Sequence, residues 1–583
     1  MSKKSVLLTA MILFLTAVPS LGQMCKTIVG TGTIDGETWT LSNSPYCVNG
    51  NLTIADLEIE PGVEVLFLDN YSFHVAAEGE LTAEGNAENR IKFMSHETNG
   101  AGWQGIFFDN ASSLSQLSYC IVSGGNFGGI RVSLTGSTDQ KLVIMNCEIV
   151  DNRHSGHGGG VNANVQNGIL EFSGCRIENN NANPASAEGS YLGGGIYANV
   201  GLQGQVLLKN CEVIGNTATS YCGGYGCNIW GKGGGIYKAG LGYLYLDNCT
   251  VKDNVVYAYE GGGYGYEQAY AQGGGIFVAG GGIYATNSII CSNISRAAGN
   301  IGYAYGGGAF TESGLLRAVN CSLILNSAEA SGNRGGGVYG GGLYKETNSN
   351  MTVTNSILYF NESVFNGTAT FSQIYGTPTV TYSDVQDGFA GEGNISDDPE
   401  LGDDCESKII SSESPCIDAG NPATQYNDTC FPPSLGIQRN DMGAYGGPGA
   451  CGWVDLVSLK ADAGPDQIIC NEICDTAILD GRKSKGKISA YDWVLKHKED
   501  SLCDKTGSGV TATFTDLCPG VYDGTLTVTG EDDSTDSDFM VMKVQSTCNP
   551  CAILKGDFDS DGDVDGDDLN IFSGHFGTKP LTP

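Results

Sequence analysis

Charge is scarce in this chain, and positive charge is scarcest. Only 16% of the 583 residues are Asp, Glu, Lys or Arg, against about 25% in ordinary soluble domains. Lys and Arg number 30 against 65 Asp and Glu, a formal charge of −35. Such a chain lacks the basic stripe that nucleic-acid binders need, so nucleic acid is not expected as a partner. The balance suits a soluble surface protein or a binder of divalent cations. Beyond the first residues no apolar run is long enough to span a bilayer, so no membrane span is expected. A Gly-X-Y period is missing although 87 residues are glycine, about twice the usual share, which removes collagen. Helical periodicity is missing from the long middle of the chain, which removes helical repeats. Hydrophobic residues still make up 40%, so this is not a disordered polyelectrolyte.

At the start, Lys3 and Lys4 precede an apolar run from Val6 to Val18, and Ser20-Leu21-Gly22 follows. This reads as a signal peptide over residues 1–22 and implies export. Export fits the 21 cysteines, which in an oxidising compartment suggest disulfides. Cys25 and Cys47, Cys222 and Cys227, Cys430 and Cys451, and the six cysteines from Cys470 to Cys551 stand in irregular or tail regions and are candidates to pair. The remaining cysteines are read as a repeat column.

That repeat dominates the middle of the chain. Segments such as Asn146-Cys147-Glu148-Ile149-Val150-Asp151-Asn152 recur around Cys175, Cys211, Cys249, Ser288, Cys321 and Ser356. Two residues after the Cys or Ser stands Ile149, Ile177, Val213, Val251, Ile290, Leu323 or Leu358, and five residues after it Asn152, Asn180, Asn216, Asn254, Asn293, Asn326 or Asn361. Another Asn precedes the Cys or Ser, with Gly174 the exception. Between the segments runs a triple glycine followed by a small apolar residue, at Gly158–Val161, Gly193–Ile196, Gly233–Ile236, Gly273–Ile276, Gly306–Ala309 and Gly335–Val338. Short alternating strands follow, such as Tyr243-Leu244-Tyr245-Leu246. The pattern predicts one turn of a parallel β-helix per repeat, with strands stacked about 4.8 Å apart. Equivalent residues then lie above one another: aliphatics inside, asparagines bonded turn to turn at the bends, glycines at corners that need positive φ, and inward thiols that pack without forming disulfides. Degenerate strands such as Val63-Glu64-Val65 and Ile106-Phe107-Phe108 extend the coil to residues 51–385, after a cap at 23–50.

On these motifs the chain resembles exported bacterial proteins with a right-handed parallel β-helix of the pectate-lyase-like superfamily. The Gly-Gly-Gly-Ile plus Asn-Cys-x-Ile-x-x-Asn pattern also resembles polymorphic outer-membrane proteins. Gly391-Glu392-Gly393-Asn394-Ile395, Ser414-Pro415-Cys416-Ile417-Asp418-Ala419-Gly420 and Asp441-Met442-Gly443-Ala444-Tyr445 look like the C-terminal end of such coils, here 386–452. The fold class implied is all-β: a solenoid, then a small β-sandwich, then a short calcium-loop and helix segment. Proteins of this fold include lyases, hydrolases, adhesins and structural proteins, so the fold does not choose among them.

Composition changes at Ala463-Gly464-Pro465-Asp466. Leu479-Asp480-Gly481, Tyr491-Asp492-Trp493 and Leu526-Thr527-Val528-Thr529 follow in order. Residues 453–546 resemble a PKD-type immunoglobulin-like module, with Trp493 as core anchor and Cys503 and Cys518 as a candidate staple. The last segment, 547–583, carries Asp557, Asp559, Asp561, Gly562, Asp563, Asp565 and Asp568. Carboxylates at positions 1, 3 and 5 of a twelve-residue loop, glycine at 6 and a closing acid at 12 suit Ca2+, a hard cation wanting six to eight oxygens. With Leu569-Asn570-Ile571-Phe572 after it, the segment resembles one repeat of a dockerin. A full dockerin has two such repeats; a cohesin-like protein is the partner that resemblance implies.

A catalytic constellation is harder to find. Glu148, Arg176 and Glu212 share one outward column and read as a solvated ladder of ion pairs. His154 and His157 sit in a short Gly-rich segment and read as solvated. Aromatics stand out instead. Tyr197, Tyr237, Phe277, Phe310 and Tyr339 each follow a post-glycine aliphatic and are expected to point outward as a ladder. Segments entering the glycines, expected as loops, carry Tyr225, Trp230, Tyr264 and Tyr266 among other rings. Such a wall suits sugar rings, unless the loops fold over the ladder and simply cover it. The expected function is therefore an exported, calcium-binding protein that holds polysaccharide or another surface. The alternatives are a polysaccharide lyase or hydrolase, or a structural or adhesin protein.

The acidic loop makes a direct prediction. Titrating the full chain with Ca2+ in a calorimeter should give a binding heat that Asp557→Ala/Asp561→Ala abolishes. Equal heats for the two proteins would contradict the calcium reading.

Overall fold

The structure is a computed structural model. It describes residues 25–545 apart from 98, 101, 183–188, 224–226, 262–265, 402–404, 406–409, 457–458, 460, 465–466, 471–475, 482–483, 485–487 and 531–534. The expected signal peptide, the acidic loop expected to hold Ca2+ with Asp557, Asp559, Asp561, Asp563, Asp565 and Asp568, and Tyr225 and Tyr264 lie outside the described residues. The chain is all-β; the described helical turns are short 3-10 segments such as Leu41–Asn43 and Thr424–Tyr426. Two compact units form. The first takes in the residues up to Tyr426 plus Arg439–Gly449, the second Asn427–Gln438 and the residues from Ala450 on.

The first unit is a stack of turns joined by parallel strand pairs. Thr27–Ile34 already pairs in parallel with Tyr46–Ile59, so the stack opens inside the segment expected as a cap. Each repeat then pairs with the one before and the one after. The aliphatic column Ile149, Ile177, Val213, Val251, Ile290, Leu323 and Leu358 is in register turn by turn. A second column runs Ile130, Val161, Ile196, Ile236, Ile276, Ala309 and Leu343. Both are buried in one continuous core.

Register is held by buried asparagines. The Asn254 amide Nδ2 donates to Asn293 Oδ1 at 3.0 Å and to the Val213 carbonyl at 2.8 Å, while its Oδ1 accepts from the backbone N–H and Nδ2 of Asn216. The same set repeats at Asn180, Asn216, Asn293 and Asn326, and Gln373 closes the column against Asn361. The triple glycines exist because of this ladder. The first of each, such as Gly233 at φ +68°, takes the left-handed corner. A Cβ on the second, Gly234, would stand 2.4 Å from the Gly274 carbonyl oxygen, and one on the third, Gly235, 2.9 Å from the Asn254 amide carbon. The Asn preceding each column Cys or Ser has a different task. Asn146, Asn210, Asn248, Asn287, Asn320 and Asn355 all have φ between 45° and 52°. Asn tolerates that region and Gly adopts it freely, which explains Gly174.

Cys and Ser interchange in their column because each donates to a carbonyl and accepts a backbone N–H. Cys249 Sγ donates to the Leu208 carbonyl, its N–H donates to Ser288 Oγ, and Ser288 Oγ donates to the Leu246 carbonyl. Cys120, Cys147, Cys175, Cys211, Cys249 and Cys321 are buried free thiols, and burial pushes Cys321 up to about 12. Disulfides form at Cys25–Cys47, Cys222–Cys227, Cys430–Cys451 and Cys503–Cys518. Two cysteines assigned to the column do not belong there: Cys291 pairs with Cys405. Cys416 is a third exception, donating instead to Asp384 Oδ2 at 3.3 Å.

The segments expected as loops are strands. Thr217–Cys222, Val255–Glu260, Ile294–Gly299 and Ser327–Gly332 lie in one parallel sheet, and Ile229–Lys232, Gln268–Gln272, Ile301–Tyr305 and Gly336–Tyr339 in another. Their inward residues are mostly alanines, among them Ala218, Ala258, Ala269, Ala271, Ala297 and Ala304. Small side chains let the two sheets approach closely and form a thin extension with its own core. Past the last turn the chain doubles back. The Asn287 amide donates to the Ala444 carbonyl at 2.9 Å, and Asn320 Nδ2 to Asp441 at 2.9 Å. The outward column below changes from Glu148, Arg176 and Glu212 to Ile289, Ser322 and Ile357 where this return segment covers it.

The second unit holds a five-stranded sheet and a two-stranded one around Trp493, Tyr522 and Leu526. Trp493 Nε1 donates to the Gly509 carbonyl at 3.1 Å, and Tyr522 OH to that of Cys518 at 3.1 Å.

The amide ladder predicts a specific loss. Asn254→Leu strands buried partners on both neighbouring turns and should cost ~1–3 kcal/mol per lost bond. A lower urea midpoint is expected; an unchanged one would contradict the ladder's role.

Candidate aromatic site

The ring ladder forms, but Tyr237, Phe277 and Phe310 are buried and Tyr197 is half-buried. Tyr197, Tyr237, Phe277 and Phe310 align in register and stack, with centroids 5.0–5.4 Å apart. Phe277 is 0% and Phe310 1% exposed, so neither can meet a ligand. They point out of the coil as expected, yet the glycine corner folds the strand before it back over them. Lys232 Nζ lies 4.7 Å from the Phe277 ring centre, and Tyr305 meets Phe310 and Tyr344 edge-on. Burial raises the Tyr237 and Tyr305 phenols.

Tyr339 is not the ladder's next ring. Two triple glycines follow one another here, and it is Gly340-Gly341-Gly342-Leu343-Tyr344 that continues the stack: Phe310 pairs with Tyr344, which stacks on it at 4.8 Å. Tyr339 pairs with Tyr305 in the thin extension. Spacing carries the signal, since Gly342 stands 19 residues before Asn361 as Gly235 does before Asn254.

A second set of stacked rings, more open to solvent, lies on the extension. Trp230, Tyr270 and Tyr303 are in register on one outer face, stacked at 5.4 and 5.3 Å with interplanar angles of 3° and 13°. Trp230 is 38% exposed. On the other face Tyr221 stacks on Tyr259 at 5.7 Å. Tyr266 is the most exposed aromatic among the described residues, at 79%. The sequence places Tyr270 and Tyr303 in the same aromatic wall as Trp230 and Tyr266, expected on loops; the structure puts Trp230, Tyr270 and Tyr303 on paired strands. The Gln268-Ala-Tyr-Ala-Gln and Ile301-Gly-Tyr-Ala-Tyr alternation marks Tyr270 and Tyr303.

A cleft also went unread. Outward rings of Tyr245 and Tyr284 stack at 5.3 Å, with Tyr243 tilted beside them. With Asp247, Arg317 and the return-segment residues Gln425 and Tyr426, Tyr245 and Tyr284 line a cavity of about 420 Å³.

The outward column at Glu148 is a charge ladder. Glu148, Arg176 and Glu212 stand in register, and Arg176 bonds Glu178 and Glu212, each at 2.6 Å. This is the surface ion-pair ladder expected, worth little to stability. The histidines are less solvated than expected: burial and Arg131 push His154 down to about 4, and His157 stacks on Tyr197 at 5.1 Å.

No protein-family model matches the chain, and no curated protein matches it. A solved structure described as the solution structure of the PKD domain from KIAA 1837 protein is 29% identical over 16% of this chain and 92% of its own, with a TM-score of 0.13. Among the described residues no helix is long and apolar enough to cross a membrane.

The two kinds of ring should respond differently to truncation. Phe277→Ala should cost about 3–5 kcal/mol in urea unfolding, as buried aromatics do. Tyr266→Ala should stay within ~0.5 kcal/mol. Equal effects would contradict the burial pattern.

Proposed function

We propose that this is an exported glycan-binding protein whose first unit is a right-handed parallel β-helix and whose exposed rings hold an extended polysaccharide. The stacked ladder of Trp230, exposed, and Tyr270 and Tyr303, half-buried, carries the reading. Its rings repeat at turn spacing, 5.4 and 5.3 Å, close to the length of one sugar unit. A glycan lying along the stack meets the outer edge and polar rim of one ring per turn, and weak contacts add through multivalency. Ordered strands hold the rings, so little freedom is lost on binding. Five disulfides in the described residues support an oxidising compartment. The acidic loop Asp557–Asp568 adds a calcium site to this reading.

Pull-down on a panel of insoluble polysaccharides tests it. Wild type should be retained by at least one, and Trp230→Ala/Tyr270→Ala should lose that retention with its melting temperature unchanged. Retention of the variant at the wild-type level, or retention of neither protein, would overturn the proposal. Release of reducing ends during the incubation would favour the lyase or hydrolase alternative.

A further inference from the structure

The cleft under the return segment is built differently from the exposed ladder. Its floor is the outward face of the strands Tyr243–Asp247, Gly282–Thr286 and Leu315–Val319, paired so that Tyr245, Tyr284 and Arg317 stand in one column and Asp247, Thr286 and Val319 in the next. Its wall is the return segment, fixed along the ends of those strands. Asn248 Nδ2 donates to the Gly449 carbonyl at 2.9 Å, and Asn440 Nδ2 to that of Tyr426 at 2.6 Å. The wall approaches closely because Gly449 has no side chain: a Cβ there would meet Asn287 Oδ1 at 2.2 Å. Floor and wall are therefore preorganised, and the volume of about 420 Å³ falls in the usual range for small-ligand sites.

The polar groups left in the cleft define the ligand. Arg317 is exposed and makes no ion pair among the described residues. Asp247 accepts from Thr286 Oγ1 through one oxygen, leaving the other for a ligand. Gln425 adds an amide that both donates and accepts. Two stacked rings, one donor fork, one acceptor carboxylate and one amide match a ring whose neighbouring hydroxyls each donate and accept. A carboxylated ring fits worse, since it would meet Asp247 and a chain of net charge −35.

We infer that this cleft binds one or two units of a neutral saccharide, with Tyr245 and Tyr284 under the sugar ring and Arg317 and Asp247 on its hydroxyls. The ligand class rests on the glycan-binding reading above; the site is separate from the Trp230 ladder, and the two are tested apart.

The test is calorimetry of the full chain with neutral disaccharides (cellobiose, maltose, lactose) and with digalacturonate, run beside the polysaccharide pull-down. At least one neutral disaccharide should bind. Tyr284→Ala and Arg317→Ala should each weaken it about tenfold or more, as loss of a good contact does, with melting unchanged. Trp230→Ala/Tyr270→Ala should bind the disaccharide as wild type does, and the cleft variants should still be retained on polysaccharide. No binding of any neutral disaccharide, binding of digalacturonate alone, or affinity unchanged in both cleft variants would overturn the inference. Polysaccharide retention without disaccharide binding would remove the cleft and leave the ladder; loss of both would remove both.

Discussion

The buried amide ladder is the constraint on which the coil depends. Each column asparagine uses its backbone N–H, its Nδ2 and its Oδ1 on neighbouring turns. A slip of one residue would leave all of these unpaired in a dry interior, where each orphaned group costs about 1–3 kcal/mol. The amide also sets the neighbouring corner, because it fills the space a Cβ on the third glycine would need. Asparagine column, glycine corner and Cys/Ser column are thus one mechanism for fixing where a turn sits.

Surface chemistry follows from that mechanism. A turn that bends sharply at three glycines brings the strand before the corner against the strand after it. The outward rings beside the corner are therefore covered by Lys232, Tyr305 and Tyr339 and become a second core. Rings farther from the corner stay open, on a thin pair of sheets that alanines allow to close on one another. The αL asparagines do further work, since their amides dock the return segment and so create the cleft beside Tyr245 and Tyr284.

Most of the coil was legible because its signals repeat. Ile149 to Leu358 and Asn152 to Asn361 fall in the columns their spacing implies, and the free thiols sit where small inward residues were expected. The errors have physical causes. Of the two outcomes the spacing allows for the ladder, open or covered, the covered one holds at Phe277 and Phe310, because a concave corner buries both faces of a strand. The doubled glycine motif at Gly335 and Gly340 misled because the triple glycine was counted without the asparagine that positions it. The Ala-Tyr alternation is hard to read as strand because glycines interrupt it. The Cys291–Cys405 link and the cleft depend on a long-range return of the chain, over 114 residues for the disulfide, which no local pattern encodes.

Hydroxyl-radical footprinting of the full chain, with and without a polysaccharide that retains it, tests the central claim most directly. Bound glycan should protect Trp230, Tyr270 and Tyr303 from oxidation while Phe277 and Phe310 stay unreactive in both states. Oxidation of Trp230, Tyr270 and Tyr303 that is unchanged by a bound polysaccharide would contradict the account.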